Sequence, residues 1–377
     1  MQLIAPEQAT LSSCGAAAQR AVAFAAHGAP TIGNVQTQMQ LLKTDQHLFP
    51  VSINHGDESA ANCYVVSPLT TYTHYAQYEI RQLHRPWLTW PLMLLSQALG
   101  RWLQSAQIDR LVQVNNWLLS TNLYPPDWHG HDVPAITRLL CHAFPDHAIG
   151  FRSLNRISNP DVLAQLESLG YVAVPSRQVY LFDARMGTDA PFLQRSDVQK
   201  DARLLAKTPY TRVPGHLLQE ADYQRLTQLY RLLYLEKYSA LNPHYSAQWL
   251  QAGQRDGWLE LLALRSPEGR LDGVVGWFAA GNTLSSPMVG YDTALPQRLG
   301  LYRMLAQLSL ERAVQRKMLL NLSAGAASFK RQRGGTPAIE YTMVYIQHLP
   351  LYRQRPWRML SRVLQSIGVP FMQRMKL

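Results

Sequence analysis

An α/β fold in two tandem halves, with mixed, mostly antiparallel sheets flanked by helices, is what this sequence predicts. Three observations carry that expectation. Residues 110–183 run strand, helix, strand, helix, strand by the spacing of their apolar residues, and the same order returns over 283–346. Two copies of one alternation imply two units built alike. Between them, 184–215 is polar and holds Pro191, Pro209 and Pro214, which reads as a link. The expected division is therefore 1–190 for the first half, 191–350 for the second and 351–377 for a basic tail.

The elements follow in chain order. Residues 11–27 are alanine-rich and helix-prone, with Ser12 or Ser13 as N-cap. Over 35–54 and 62–80 polar residues alternate with apolar and β-branched ones, which predicts antiparallel strands turned at His55-Gly56-Asp57. An apolar helix is expected over 87–104 and a strand over 110–121. Pro125, Pro126 and Gly130 make 124–132 a loop, and Asp132 can cap a helix over 133–144. A short strand at 148–153 follows. Asn159 at N-cap and Pro160 at the first helical position open a helix that stops at Gly170, and 171–183 is a strand. In the second half, Leu226, Leu229, Tyr230, Leu233 and Tyr234 recur at helical spacing within 220–238. A hairpin over 258–265 and 271–280 turns around Ser266-Pro267-Glu268-Gly269. Then come a strand to Asp292, a helix over 299–316, a strand over 318–323, a short helix over 326–332 and a strand over 338–346.

Composition narrows the class. The chain has 377 residues, 47% hydrophobic and 16% charged, which describes a folded protein and excludes a disordered one. Cys14, Cys63 and Cys141 are odd in number and far apart, so a disulfide framework and a Cys-x-x-Cys metal site are not expected; a reducing cytoplasm is. The first residues lack a basic region followed by an apolar one, so no signal peptide is read. The stretch 86–100 carries no charge between Arg85 and Arg101, but it is shorter than the ~20 residues a bilayer requires, so a buried or interfacial helix is expected. A net charge of +11 favours anionic partners. The tail after Glu340 has no acidic residue. It places Trp357, Leu360, Leu364 and Ile367 on one helical face and Arg355, Arg358 and Arg362 on another. The tail from Tyr352 onward is thus expected to lie outside the catalytic core and to anchor the protein on an anionic membrane face or a carrier protein; the alternative is that its apolar face docks on the molecule's own core with the arginines solvated. No Gly-x-Ser-x-Gly elbow and no Walker loop occur.

The chemistry concentrates at 287–345. The run Gln297-Arg298-Leu299-Gly300-Leu301-Tyr302-Arg303 opens a long helix. A glycine in that first turn lets backbone N–H groups approach an anion, and the helix dipole favours negative charge there, so a pyrophosphate is the natural guest. Lys330 follows Phe329 at a helix start, where a cation opposes the dipole, which suggests a phosphate- or oxyanion-holding task. Lys330 is thus expected to support turnover or donor binding more than folding, with Lys330→Ala leaving stability almost unchanged; the alternative is a surface lysine beside Arg331 and Arg333. Asp292 ends the strand before the loop and is either a base or an acidic residue preceding a helix. Tyr341 and Tyr345 share one face of the last strand. Two weaker constellations are His142 with Asp146, at His-x-x-x-Asp spacing, and Asp127, His129, His131 and Asp132, a loop cluster with no distant metal-ligand motif; no metal is expected.

Gln297 and Gly300 resemble the acyl-CoA phosphate loop of the GNAT superfamily of N-acetyltransferases, with Tyr302 departing from its final Gly or Ala. The run from Asn321 through Gly325 to Phe329-Lys330, followed by Gly334, is similar to the FemAB-like and cellulose-biosynthesis-type acyltransferases, which also build two such halves. The resemblance spans about 220–348 and implies transfer of an acyl group from a thioester, acyl-CoA or the phosphopantetheine of an acyl carrier protein, to an amine or hydroxyl acceptor by direct attack. It places Val289, Gly290, Tyr291 and Asp292 beside the reacting carbonyl. Gln297, Arg298, Gly300, Tyr302, Arg303 and Phe329 would hold the donor. Glu236 or His244 would be the base, Lys330 would hold a phosphate or oxyanion, and Tyr341 or Tyr345 would protonate the leaving thiolate. Implied partners are a small-molecule acceptor, an acidic carrier protein or tRNA, not DNA. Aminoacyl transfer from charged tRNA and a non-catalytic scaffold binding a membrane or partner remain alternatives.

Overall fold

The computed structural model describes residues 1–9, 15–58, 62–74, 77 and 86–375. Among these residues twelve strands form one sheet: β1 (Gln2–Ile4), β2 (Gln38–Lys43), β3 (Leu48–Asn54), β4 (Leu111–Val114), β5 (Ala148–Leu154), β6 (Val172–Asp183), β7 (Thr211–Pro214), β8 (Glu260–Arg265), β9 (Leu271–Ala280), β10 (Thr283–Tyr291), β11 (Leu319–Asn321) and β12 (Thr336–Tyr345). Their order across the sheet is β1-β2-β3-β4-β5-β12-β6-β11-β10-β9-β8-β7. That order is palindromic when β7–β12 are matched to β1–β6. Each repeat therefore hands its last strand to the other: β12 lies against β5, and β6 lies against β11. Within each repeat the fourth and fifth strands run parallel, joined by a helical crossover, while every other pairing is antiparallel. The α/β architecture with mostly antiparallel pairing is the one expected, and the exchanged strands make the two halves one continuous sheet.

Both faces of the sheet are covered, because strand alternation sends neighbouring side chains to opposite sides. On β9, Val274 joins a core with the helices Glu220–Tyr230 and Ala247–Arg255, and Val275 and Trp277 join another with Leu301–Arg316. In the first half, helices Val133–Ala143 and Pro160–Ser168 pack on Ile149 and Phe151. On the opposite face, Ala148 meets the helices Pro86–Ser105 and Leu351–Val363.

Several expectations are corrected. Residues 62–74 are not a strand but turns and a short helix, Thr70–His74. Their hydroxyls bond the local backbone instead, Thr70 to Asn62 O at 2.8 Å and Thr73 to Leu69 O at 2.6 Å, which competes with a ladder. The strand read over 110–121 ends at Val114. The buried chain beyond it turns through left-handed Asn115 and Leu118. The link 184–215 contains the helix Ser196–Lys207 and β7; buried Val198, Asp201 and Leu205 form its inner face. The proposed caps Ser12 and Ser13 lie outside the described residues, as do 78–80 of the expected strand.

The tail is the largest correction. Trp357 and Leu360 are buried in the core, and Ser361 donates to Ala173 O on β6 at 2.7 Å. Arg353, one of the tail's cations, is buried. It donates to the carbonyls of Ala106 (3.2 Å), Gln107 (3.0 Å), Arg110 (3.4 Å) and Asp146, so it closes the carbonyl end of the helix Pro86–Ser105. Arg353→Met keeps much of the volume and removes every donor. We expect a loss of about 2 kcal/mol, measured by urea unfolding; an unchanged midpoint would return Arg353 to the solvated face.

Candidate functional site

A cavity of about 260 Å³ opens between the two repeats. Its position follows from the way β10 parts from β11. The two strands pair only from Thr283 to Ser285, after which β10 continues to Tyr291 while β11 gives way to the loop 322–326. A bulge in β10 between Ser285 and Met288 accompanies the parting. Ser286 and Val289 of β10, Leu305 and Ala306 of the helix Leu301–Arg316, and residues 322–326 line the resulting slot. Further in, Leu233, Tyr234 and Tyr238 project from Arg231–Tyr238, a stretch of wide π-type turns continuing the helix before it. Such turns recur at functional sites.

The far wall is charged and comes from both repeats. Arg177 of β6 faces Glu340 of β12 in register, with Nε donating to Oε2 at 2.8 Å. Glu340 is 1% exposed, and its Oε1 has no hydrogen-bond partner among the described residues. An unpartnered buried carboxylate oxygen is costly unless a ligand supplies the donor. Arg152 of β5 donates to Val65 O at 2.9 Å and Asn116 Oδ1 at 3.1 Å, and burial lowers its pKa. Burial likewise raises the pKa of Tyr64 and Tyr72, which close this end with Gln113. The buried Cys63 thiol beneath is pushed up to about 12 by burial and donates to Leu241 O at 3.1 Å, so it is no nucleophile.

Lys330 lines the cavity but is only 4% exposed. Its Nζ donates to Leu322 O (2.6 Å), Ser323 O (3.1 Å) and Ala324 O (2.9 Å). Burial, then Arg177, pushes its pKa down to about 7. Three carbonyls around one nitrogen oppose that, since only the ammonium has three protons to give. The surface-lysine reading is corrected: this side chain ties down a loop in which Ser323, Gly325 and Ala326 all take left-handed backbone. Strain of that kind gathers at functional sites.

The other expected residues divide between the cavity and elsewhere. Val289 and Tyr302 line it. The Tyr302 ring lies 4.9 Å from Phe329 and 6.3 Å from Tyr291, so an aromatic cluster stands where the loop pattern has a small residue. Gly300 adopts φ +69°, and a Cβ there would meet Leu204 at 2.6 Å. Its freedom thus also serves the helix Ser196–Lys207 packed above it. Gln297 and Arg298 are exposed, and Arg303 pairs with buried Asp201 at 2.6 Å. Gly290 is pressed against the backbone of Leu229 and Tyr230 rather than facing the cavity. Glu236 is paired with Arg231 at 3.2 Å on an exposed helix end, and His244 Nε2 lies 2.8 Å from Ala240 O; neither lines the cavity. Asp292 is held by Arg225 at 2.8 Å. Burial alone would raise its pKa, but that guanidinium and the Ala294 N–H keep it below the usual carboxylate range, and it does not line the cavity. Tyr341 and Tyr345 belong to the apolar cluster on the other side of β12, whereas Glu340 and Thr342 face the cavity. The loop cluster is also dispersed: His129 meets Asp161 at 3.0 Å, and Asp132 accepts from Trp128 Nε1 at 2.6 Å. Among the described residues no three His, Cys, Asp or Glu side chains are grouped to hold a metal.

Sequence reasoning missed Arg152, Arg177 and Glu340. The available signal was a charge in the middle of an apolar strand, as in Val179-Tyr180-Leu181-Phe182 after Arg177. Such a charge is seldom buried unless paired.

Residues 194–331 match the family model described as an acetyltransferase (GNAT) domain. No curated protein matches the chain. Among solved structures, the crystal structure of FemX is similar over 94% of this chain and 100% of its own, with a TM-score of 0.56 at 10% identity. L-PGS from Bacillus licheniformis covers 62% of this chain and 78% of its own, with a TM-score of 0.43 at 15% identity. A tandem GNAT protein from the clavulanic acid biosynthesis pathway covers 87% of each chain, with a TM-score of 0.41 at 9% identity. At such identities the FemX likeness is one of fold.

Proposed function

We propose, for a chain that carries a GNAT acyltransferase domain within a FemX-like tandem fold, that it moves an acyl group from a pantetheine thioester to an amine or hydroxyl acceptor. The supporting observation is the slot between β10 and the loop 322–326: narrow, lined by Val289, Leu305 and Ala306, and ending at a charged wall. An extended pantetheine arm fits such a slot, since parted strands leave backbone groups to pair with its amides. Backbone N–H groups after the β10 bulge would polarise the carbonyl. The acceptor would enter at the Arg177–Glu340 wall, where Glu340 Oε1 accepts its proton as the nitrogen or oxygen lone pair forms the new bond to the carbonyl carbon. The carbon–sulfur bond then breaks, and the leaving thiolate takes up the proton that Glu340 received, directly or by exchange through solvent. Glu340 replaces Glu236 and His244 as the proposed base, because it alone of the three lines the cavity.

Aminoacyl-tRNA as donor is the second reading. Tyr302 favours it, since its ring crowds the cradle that a CoA pyrophosphate would use. Native mass spectrometry against acyl-CoAs, acyl carrier protein and charged tRNA separates the two. Ala306→Phe should fill the slot and weaken thioester binding at least about tenfold, ~1.4 kcal/mol, with the melting temperature unchanged. Charged tRNA binding, with no thioester bound, would overturn the first reading.

A further inference from the structure

Two helices on one side of the first half carry exposed apolar residues. The helix Pro86–Ser105 turns Leu99 and Leu103 into the core and leaves Trp90 72%, Leu94 56%, Leu95 66% and Trp102 37% exposed. The C-terminal segment buries Trp357 and Leu360 in the same core and leaves Val363 43%, Ile367 66% and Phe371 53% exposed. Successive members of that second set are four residues apart, which makes a stripe. The two elements are locked together, because Arg353 of the second bonds Ala106 O and Gln107 O at the end of the first.

The charge on these elements has one sign. Arg101, Arg355, Arg358, Arg362 and Arg374 are exposed, and neither 86–105 nor 351–377 contains an aspartate or glutamate. Five exposed arginines on elements that hold no carboxylate make a surface whose charge complements an anionic layer. Tryptophan and phenylalanine beside arginine, on helices too polar to cross, match the chemistry of a headgroup layer. Indeed no helix among the described residues is long and apolar enough to span a membrane.

We propose that this two-helix face docks the protein on an anionic lipid bilayer, with Trp90, Leu94, Leu95, Ile367 and Phe371 entering the interface and the arginines meeting lipid phosphates. The docking unit is thus not a detachable tail but a folded platform shared by two segments far apart in the chain. Trp357, buried beneath it, also lines the cavity, so the platform and the site share one wall. The proposal does not depend on which acyl donor is used.

Co-sedimentation of the full chain with vesicles tests it. Binding is expected to phosphatidylcholine–phosphatidylglycerol vesicles and not to phosphatidylcholine alone, and to weaken with salt as screening shortens the attraction. Arg358→Glu/Arg362→Glu and, separately, Leu94→Glu/Phe371→Glu should each weaken it by at least about tenfold. Trp90→Ser, at the most exposed position, keeps the test valid if a double variant fails to fold. Equal binding to both vesicle types, or variants that bind as the parent does, would overturn the proposal. So would light scattering that shows a dimer dissolved by Leu94→Glu, because the face would then be covered by a second copy.

Discussion

Lys330→Met is expected to destabilise the protein by about 3 kcal/mol and to abolish donor binding. The methionine matches the length of the lysine but donates nothing. The Ser323 carbonyl still accepts from the Tyr180 N–H at 3.2 Å, but those of Leu322 and Ala324 lose the donors that now reach them at 2.6 and 2.9 Å. A buried acceptor left unmade costs about 1–3 kcal/mol. The loop they belong to holds Ser323 at φ +59° and Ala326 at φ +46°, conformations that need outside support. Loss of the tie should let the loop relax into the slot that it lines. Urea unfolding and donor calorimetry on the same preparation check both parts. A midpoint within error of the parent protein would mean that the ammonium is solvated and the loop stands unaided.

Gly290→Ala should be comparably damaging, for a steric reason. A Cβ at this position would lie 2.5 Å from Tyr230 N and 2.6 Å from Leu229 C. These are backbone atoms of a helix, so no side chain can rotate away and the helix must lift. Overpacking costs about 1–3 kcal/mol and occasionally more, and we expect the upper end. The same helix continues into the turns that bring Leu233, Tyr234 and Tyr238 to the cavity, so donor binding should fall with stability. Gly15→Ala is the control: among the described residues nothing lies within 4 Å of its Cβ, and replacing a glycine N-cap by alanine should cost only about 1 kcal/mol or less. Equal melting temperatures for the two variants would refute the close approach of helix and strand.

Gly290 also shows where reading the chain reaches its limit. A glycine on the strand before a candidate phosphate loop suggests room for a ligand, and here the room is taken by a helix some sixty positions earlier in the chain. Gly300 was legible as a glycine at a helix start, but its left-handed backbone was not, and the Leu204 packed against it belongs to a helix that the polar stretch 184–215 concealed. Lys330 was singled out correctly as unusual. Its burial, and the three carbonyls around it, were not visible.

By itself, the sequence determined what is local: the alternation of strands and helices, the repetition of one order in two halves, the glycine turns and the amphipathic tail. These rest on periods of two and 3.6 residues and on turn chemistry, which act between near neighbours. Tertiary structure alone decided the exchange of β6 and β12, the pairing of Arg177 with Glu340, the cavity-facing side of β12 that excludes Tyr341, and the burial of Arg353. Each depends on which distant segment supplies the neighbouring strand or the missing carbonyl. A strand's pattern states how many of its faces are buried, not against what. A charge in a strand states that a partner is needed, and only the assembled sheet says which residue it is.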